Sequence, residues 1–135
     1  MAGELTVKQS RFADCDFRSQ GEKDTALGLE ADRQSGKIKA WQFEKHIPLV
    51  VEGKTICEIW PDYLIEYPNG RQQVIEVKGG QIMKSKWWAL KRELFKALFP
   101  HIEYTVKDTF FKRQKRKLKS WDGFKKKWVP KITQL

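Results

Sequence analysis

The sequence predicts one α/β domain, a mixed β-sheet flanked by helices, carrying a basic helical extension at its C-terminal end. Three observations lead there. A capped helical stretch opens the chain, a central block of alternating apolar residues is broken by two turn signals, and a second helical period runs into a short apolar strand. At 135 residues the chain is long enough for one hydrophobic core and too short for two comfortable ones. With 40% hydrophobic and 33% charged residues it reads as globular rather than disordered.

Residues 1–18 read as a loosely held N-terminal arm, 19–106 as the core, and 107–135 as the extension. Ser19-Gln20-Gly21-Glu22 matches a capping box, with Ser19 as N-cap and Glu22 reaching back from the third helical position. The helix is expected to run to about Gln34 and stop at Ser35-Gly36. Glu22, Ala26, Leu29 and Arg33 share one stripe, which turns Glu22 toward the interior. From Ile38 to Trp60 the period changes to strands, with Trp41, Phe43, Lys45 and Ile47 on one face. Leu49-Val50-Val51, the Glu52-Gly53 turn and Thr55 to Trp60 form a hairpin. Pro61 opens the next strand, and Asp62 to Tyr67, the turn Pro68-Asn69-Gly70 and Arg71 to Val77 make the clearest hairpin in the chain. A helix from about Met83 to Leu98 follows, with Leu90, Leu94 and Leu98 as its core seam and Lys84, Trp88 and Lys91 on another stripe. His101 to Val106 reads as the last strand.

The net charge is +10, and it is unevenly spread. From Tyr104 onward there are 11 basic and 2 acidic residues, whereas Met1 to Glu103 holds 16 basic and 15 acidic ones. A cationic tail on a nearly neutral domain points to a polyanion, nucleic acid before a membrane surface. Lys112, Arg113, Lys115, Arg116, Lys117 and Lys119 are the expected DNA-backbone contacts; six such contacts give a log–log salt slope of roughly −5 and carry no sequence code. Trp121, Phe124 and Trp128 form a stripe suited to docking on the domain or a second subunit. No run of 18 apolar residues suggests a membrane span, and Met1 to Ser10 has no apolar stretch of the signal-peptide kind. Cys15 and Cys57 then read as two reduced thiols of a cytoplasmic protein.

The residues that carry chemistry are Asp62, Glu76 and Lys78. Alternation puts Glu76 and Lys78 on one face of their strand and Val77 on the other. Whether Asp62 joins them depends on the turn. A two-residue turn sets Asp62 opposite Val77 and on the wrong face; a three-residue loop sets it opposite Glu76; a five-residue loop keeps the two on one face, a diagonal apart. Two facing carboxylates repel by on the order of 4 kcal/mol at about 4 Å and an effective dielectric of ~20. A hard divalent cation explains such crowding, and Mg²⁺ suits Asp62, Glu76 and the Val77 carbonyl as ligands, with Mn²⁺ able to substitute. Lys78 would orient or deprotonate the attacking water, or stabilise charge on the phosphoryl group.

Phe17-Arg18-Ser19-x-x-Glu22, Pro61-Asp62 and Glu76-Val77-Lys78-Gly79 resemble the ordered motifs of the PD-(D/E)XK nuclease superfamily. Within it the chain is most similar to small phage-encoded nucleases of the junction-resolving endonuclease I type and to archaeal-type Holliday junction resolvases. The resemblance covers about residues 17 to 106 and implies a restriction-endonuclease-like core. It implies Glu22 as a further acidic residue of the metal site, Asp62 and Glu76 as ligands, and Lys78 as the catalytic lysine. It also implies a basic or amide residue on the following helix, for which Lys86 is the first choice and Lys84 and Lys91 are the reserves. Tyr63 departs from the family's frequent Phe, and the basic tail lies outside the family core.

Plainer readings stand beside these. Glu22 serves equally as a capping glutamate, and Glu30, farther round the helix, is an alternative site residue. Gly79-Gly80 either ends a strand or admits a phosphate backbone. His46 and His101 lack metal-ligand spacing, Cys57 reads as buried, and Trp88 and Trp121 are placed to stack on bases. Three functions are compatible with the sequence: a structure-specific, homodimeric Holliday junction resolvase; a phage DNA-processing or nicking nuclease acting on ordinary duplex; and a non-catalytic nucleic-acid-binding protein retaining the fold.

Overall fold

A computed structural model describes residues 4–78 and 86–108, with the backbone alone at Lys78 and Asp108. The chain is α/β: a four-stranded mixed sheet, a separate two-stranded sheet and two helices. Helix α1 spans Gln20–Ser35 and α2 spans Lys86–Leu98. Strands β1 (Ala40–Phe43), β4 (Tyr63–Glu66), β5 (Gln72–Lys78) and β6 (Glu103–Asp108) form the main sheet in the order β1-β4-β5-β6, and β2 (Ile47–Val51) and β3 (Lys54–Ile59) form the hairpin beside it. β1, β4 and β5 run antiparallel; β6 lies parallel to β5 after α2.

Two cores sit on the two faces of the main sheet. Ala26 and Leu29 of α1 pack with Trp41, Tyr63, Ile65 and Val77 on one. Phe95 of α2, Phe99 and the β2–β3 residues Ile47, Leu49 and Ile59 cover Leu64 and Val74 on the other. Alternation along β4 and β5 sends neighbouring residues to opposite cores, as a sheet covered on both faces requires.

Helix α1 ends as expected at Gly36, whose φ of +85° suits a residue without Cβ. Its start differs in one detail. Ser19 Oγ accepts from the Glu22 N–H at 3.1 Å, but the Glu22 carboxylate reaches past the cap to the Arg18 N–H at 3.0 Å.

Three other expectations are corrected. The arm is not loosely held. Leu5 and Val7 pack against one core, and Phe12, Cys15 and Phe17 against the other. The Ser10 N–H bonds the Trp41 carbonyl, while Gln9 and Ser10 side chains accept from Trp41 N–H and Phe43 N–H, so the arm covers the outer edge of β1. The alternating run from Trp41 to Ile47 is not one strand. It breaks at Glu44, whose φ of +55° turns the chain from the main sheet into the hairpin. The seam of α2 is Phe95, with Leu94 and Leu98 half-buried, whereas Leu90 is 61% exposed. Aromatic bulk at Phe95 and Phe99, stacked at 4.9 Å, outcompetes the leucine period for the core.

Candidate active site

The β4–β5 hairpin decides where Asp62 and Glu76 meet. Tyr67 N–H bonds the Arg71 carbonyl at 2.8 Å, closing a loop of residues 68–70 in which Gly70 has φ +88°. This is the three-residue loop with a left-handed last position. The ladder then pairs Glu66 with Gln72, Ile65 with Gln73, Leu64 with Val74 and Tyr63 with Ile75. The ladder ends there: Asp62 stands just before β4, and the same register continued one step sets it opposite Glu76. Both are 5% exposed.

A backbone amide donates to one carboxylate and a hydroxyl to the other. Asp62 Oδ2 accepts the Val77 N–H at 2.6 Å, next to Pro61, and Glu76 Oε1 accepts the Tyr104 hydroxyl at 3.1 Å. Burial raises the Tyr104 pKa, and the Glu76 and Asp62 charges raise it further, so both carboxylates act on one hydroxyl. Tyr63, whose hydroxyl bonds the Glu22 carbonyl at 2.6 Å, is likewise pushed up by burial and then by Glu22 and Asp62. Val77 sends its side chain into the α1 core, opposite to Glu76.

Glu22 is drawn in from α1, 7% exposed. One guanidinium nitrogen of Arg18 lies 2.7 Å from Glu44, 3.6 Å from Glu22 and 3.6 Å from Asp62. Three acidic residues from three segments thus share one cation. The sequence motif pointed to Arg18 and Glu22; Glu44 was invisible because only the left-handed bend brings it there. Among the described residues, no three His, Cys, Asp or Glu side chains group as a metal centre.

On the other side of Glu76 a cleft of about 190 Å³ opens between β3 and α2. Trp60, Trp88, Lys91, Arg92 and Tyr104 line it with Glu76. Of the helix candidates, Lys91 reaches this cleft, its Nζ 3.3 Å from the Glu58 carbonyl, while Lys86 is exposed and does not line it. Arg92, which the sequence reading passed over, stacks on Trp88 at 4.9 Å. The signal for it was present: Arg92 follows Trp88 by four residues, one helical turn along the same stripe. Lys84, Gly79, Gly80, the Lys78 side chain and the tail residues Lys112, Arg113, Lys115, Arg116, Lys117, Lys119, Trp121, Phe124 and Trp128 lie outside the described residues.

No protein-family model, curated protein or solved structure matches this chain. Glu30 drops out as an alternative: it accepts two bonds from Arg33 at 2.7 Å and one from Trp41 Nε1 at 3.0 Å, which fixes it in a structural role. His46 pairs with Glu58 at 3.2 Å and packs at a tilt against Trp60, ring centroids 4.7 Å apart. Cys15 and Cys57 are free thiols, both half-buried. No helix among the described residues is long and apolar enough to cross a membrane.

Proposed function

We propose that the chain is a Mg²⁺-dependent DNA endonuclease with a restriction-endonuclease-like core, cutting branched DNA of the Holliday-junction kind as a homodimer. The observation that carries this is the buried pair Asp62 and Glu76, brought to adjoining strands beside a cleft with two cations in its wall. Burying two carboxylates together costs folding energy. A structural role explains that poorly. The donors are all hard oxygens, which fits a hard divalent cation held by Asp62, Glu76 and the Val77 carbonyl. Such an ion supplies positive charge to the reacting phosphate and acidifies an attacking water.

The protein's own groups do the rest. Tyr104 and the Val77 amide fix the two carboxylates so that they need not reorganise during the reaction. Lys91 and Arg92 offer positive charge to a DNA phosphate at the cleft. Lys78, the last residue of β5, is the candidate to orient the attacking water. The order of α1, an antiparallel three-strand run, α2 and a parallel strand supports the fold assignment.

The test is cleavage with Mg²⁺ of a four-way junction, a linear duplex and a single strand by wild type, Asp62→Asn and Glu76→Gln. Paired incisions in the junction are expected from the wild type. Each variant should lose about two orders of magnitude in rate or more yet still bind DNA through the basic tail. Cutting of plain duplex at equal rate would leave a nuclease without junction specificity. Binding with no metal-dependent cutting would leave a DNA-binding protein only.

A further inference from the structure

The cleft beside Glu76 has a composition that phosphate binding alone does not require. Trp60 stands at its wall with 55% of its surface exposed, an unusual state for the largest apolar side chain. Its ring is braced from behind by His46, whose centroid is 4.7 Å away, and His46 is itself pinned to Glu58 at 3.2 Å. The indole is thus held in place rather than left loose. Trp60 also lies only two residues before Asp62.

Arg92 gives a second, independent pointer. Its guanidinium lies over the Trp88 ring, and the contact of its terminal nitrogen with Glu93 is long, at 3.7 Å. Its Nε is sealed from water and has no hydrogen-bond partner among the described residues. A buried N–H without an acceptor is unfavourable and rare in native proteins. An anion entering the cleft would meet the terminal guanidinium nitrogens and complete the partners of a cation held among apolar rings. With Glu58 and Glu76 in the same wall, a singly charged phosphodiester is accommodated better than a dianion.

We propose that this cleft is a subsite for one unpaired nucleotide, its phosphate on Arg92 and its base stacked on Trp60. The inference rests on the nuclease reading only for the identity of the polymer as DNA. A base inside a duplex already has both faces covered by its neighbours, so an exposed, braced indole discriminates for bases that have left the stack. At about 190 Å³ the cleft is small, on the scale of one ring system. The preference for branched DNA then has a local origin: the cleft captures an unstacked nucleotide next to the carboxylates.

The experiment uses the full chain in EDTA, with a short single strand containing 2-aminopurine and the same strand in a duplex. Wild type should quench the single-strand fluorescence on binding and leave the duplex signal nearly unchanged. Trp60→Leu should abolish the quenching and weaken single-strand binding by about fivefold or more. Arg92→Gln should lower the log–log salt slope for the single strand by about 0.7, one phosphate contact. Circular dichroism and Tm establish that both variants are folded. Absent quenching with the wild type, quenching that survives in Trp60→Leu, or an unchanged slope in Arg92→Gln each overturns the proposal. Because nothing here depends on cleavage, a wild type that behaves as expected but cuts no DNA with Mg²⁺ would retire the nuclease reading and leave the subsite standing.

Discussion

Glu30 and Asp62 are both acidic residues that accept hydrogen bonds, and they differ in the donors that hold them. Glu30 is held chiefly by Arg33, a permanent cation, with help from Trp41 and Gln34, and its pKa falls from an ordinary 4.5 to about 2. Asp62 and Glu76 instead accept from a backbone amide and a tyrosine hydroxyl. Arg18 also lies 3.6 Å from Asp62, a longer contact than the 2.7 Å between Arg33 and Glu30. A pH dependence follows from Glu30. Because its folded-state pKa lies below the unfolded value, its contribution is fully present above about pH 4.5 and is lost as the pH falls toward about 2. Tm measured from pH 6 down to 2 should therefore drop less steeply in Glu30→Gln than in the wild type. Parallel curves would show that the Arg33 and Trp41 bonds do not contribute to stability.

Among the elements, α1 is the one whose limits follow most directly from local chemistry. Ser19 closes its first turn, and Gly36 accepts a left-handed backbone after its last. No atom lies within 4 Å of where a Cβ on Gly36 would stand, so Gly36→Ala meets backbone strain and no clash. That substitution should cost about 1–2 kcal/mol, read as a lower urea midpoint at unchanged m-value. The same kind of local signal made both hairpins legible, although the β4–β5 turn could have been two, three or five residues by its sequence and is three in the fold. What the sequence concealed has a common physical cause. Leu90 and Phe95 both satisfy a helical period, and only the shape of the opposing sheet selects Phe95. Glu44 looks like one more residue of an alternating run until its left-handed φ splits that run between two sheets. Arg92 gains meaning from Trp88 beneath it and Glu76 across the cleft, contacts that span strand and helix. Periodicity reports which face a residue takes and is silent on what that face meets.

For the molecule as a whole, the arm is the component whose importance the sequence least suggested. It runs along β1, the edge of the main sheet, and satisfies amides and a carbonyl that would otherwise offer a template to another chain. It also adds Leu5 and Val7 to the core beneath α2. Removing residues 1–10 should lower Tm and shift the sedimentation profile toward larger species as bare β1 edges pair. A truncated chain with the wild-type profile and Tm would reduce the arm to a passive cover.

The turn at residues 68–70 has a consequence for how such a chain can change over time. It is exposed and touches neither carboxylate, so an inserted or deleted residue there looks harmless. The flanking strands, by contrast, count in twos. A residue added or lost inside β4 or β5 turns the side chains beyond it to the other core, whereas one added at the turn only lengthens the loop, because both faces of these strands are buried and β5 is also held by β6. Length drift is therefore tolerated at this surface loop and barred from the two strands it joins, where one residue gained or lost would misplace the buried carboxylates.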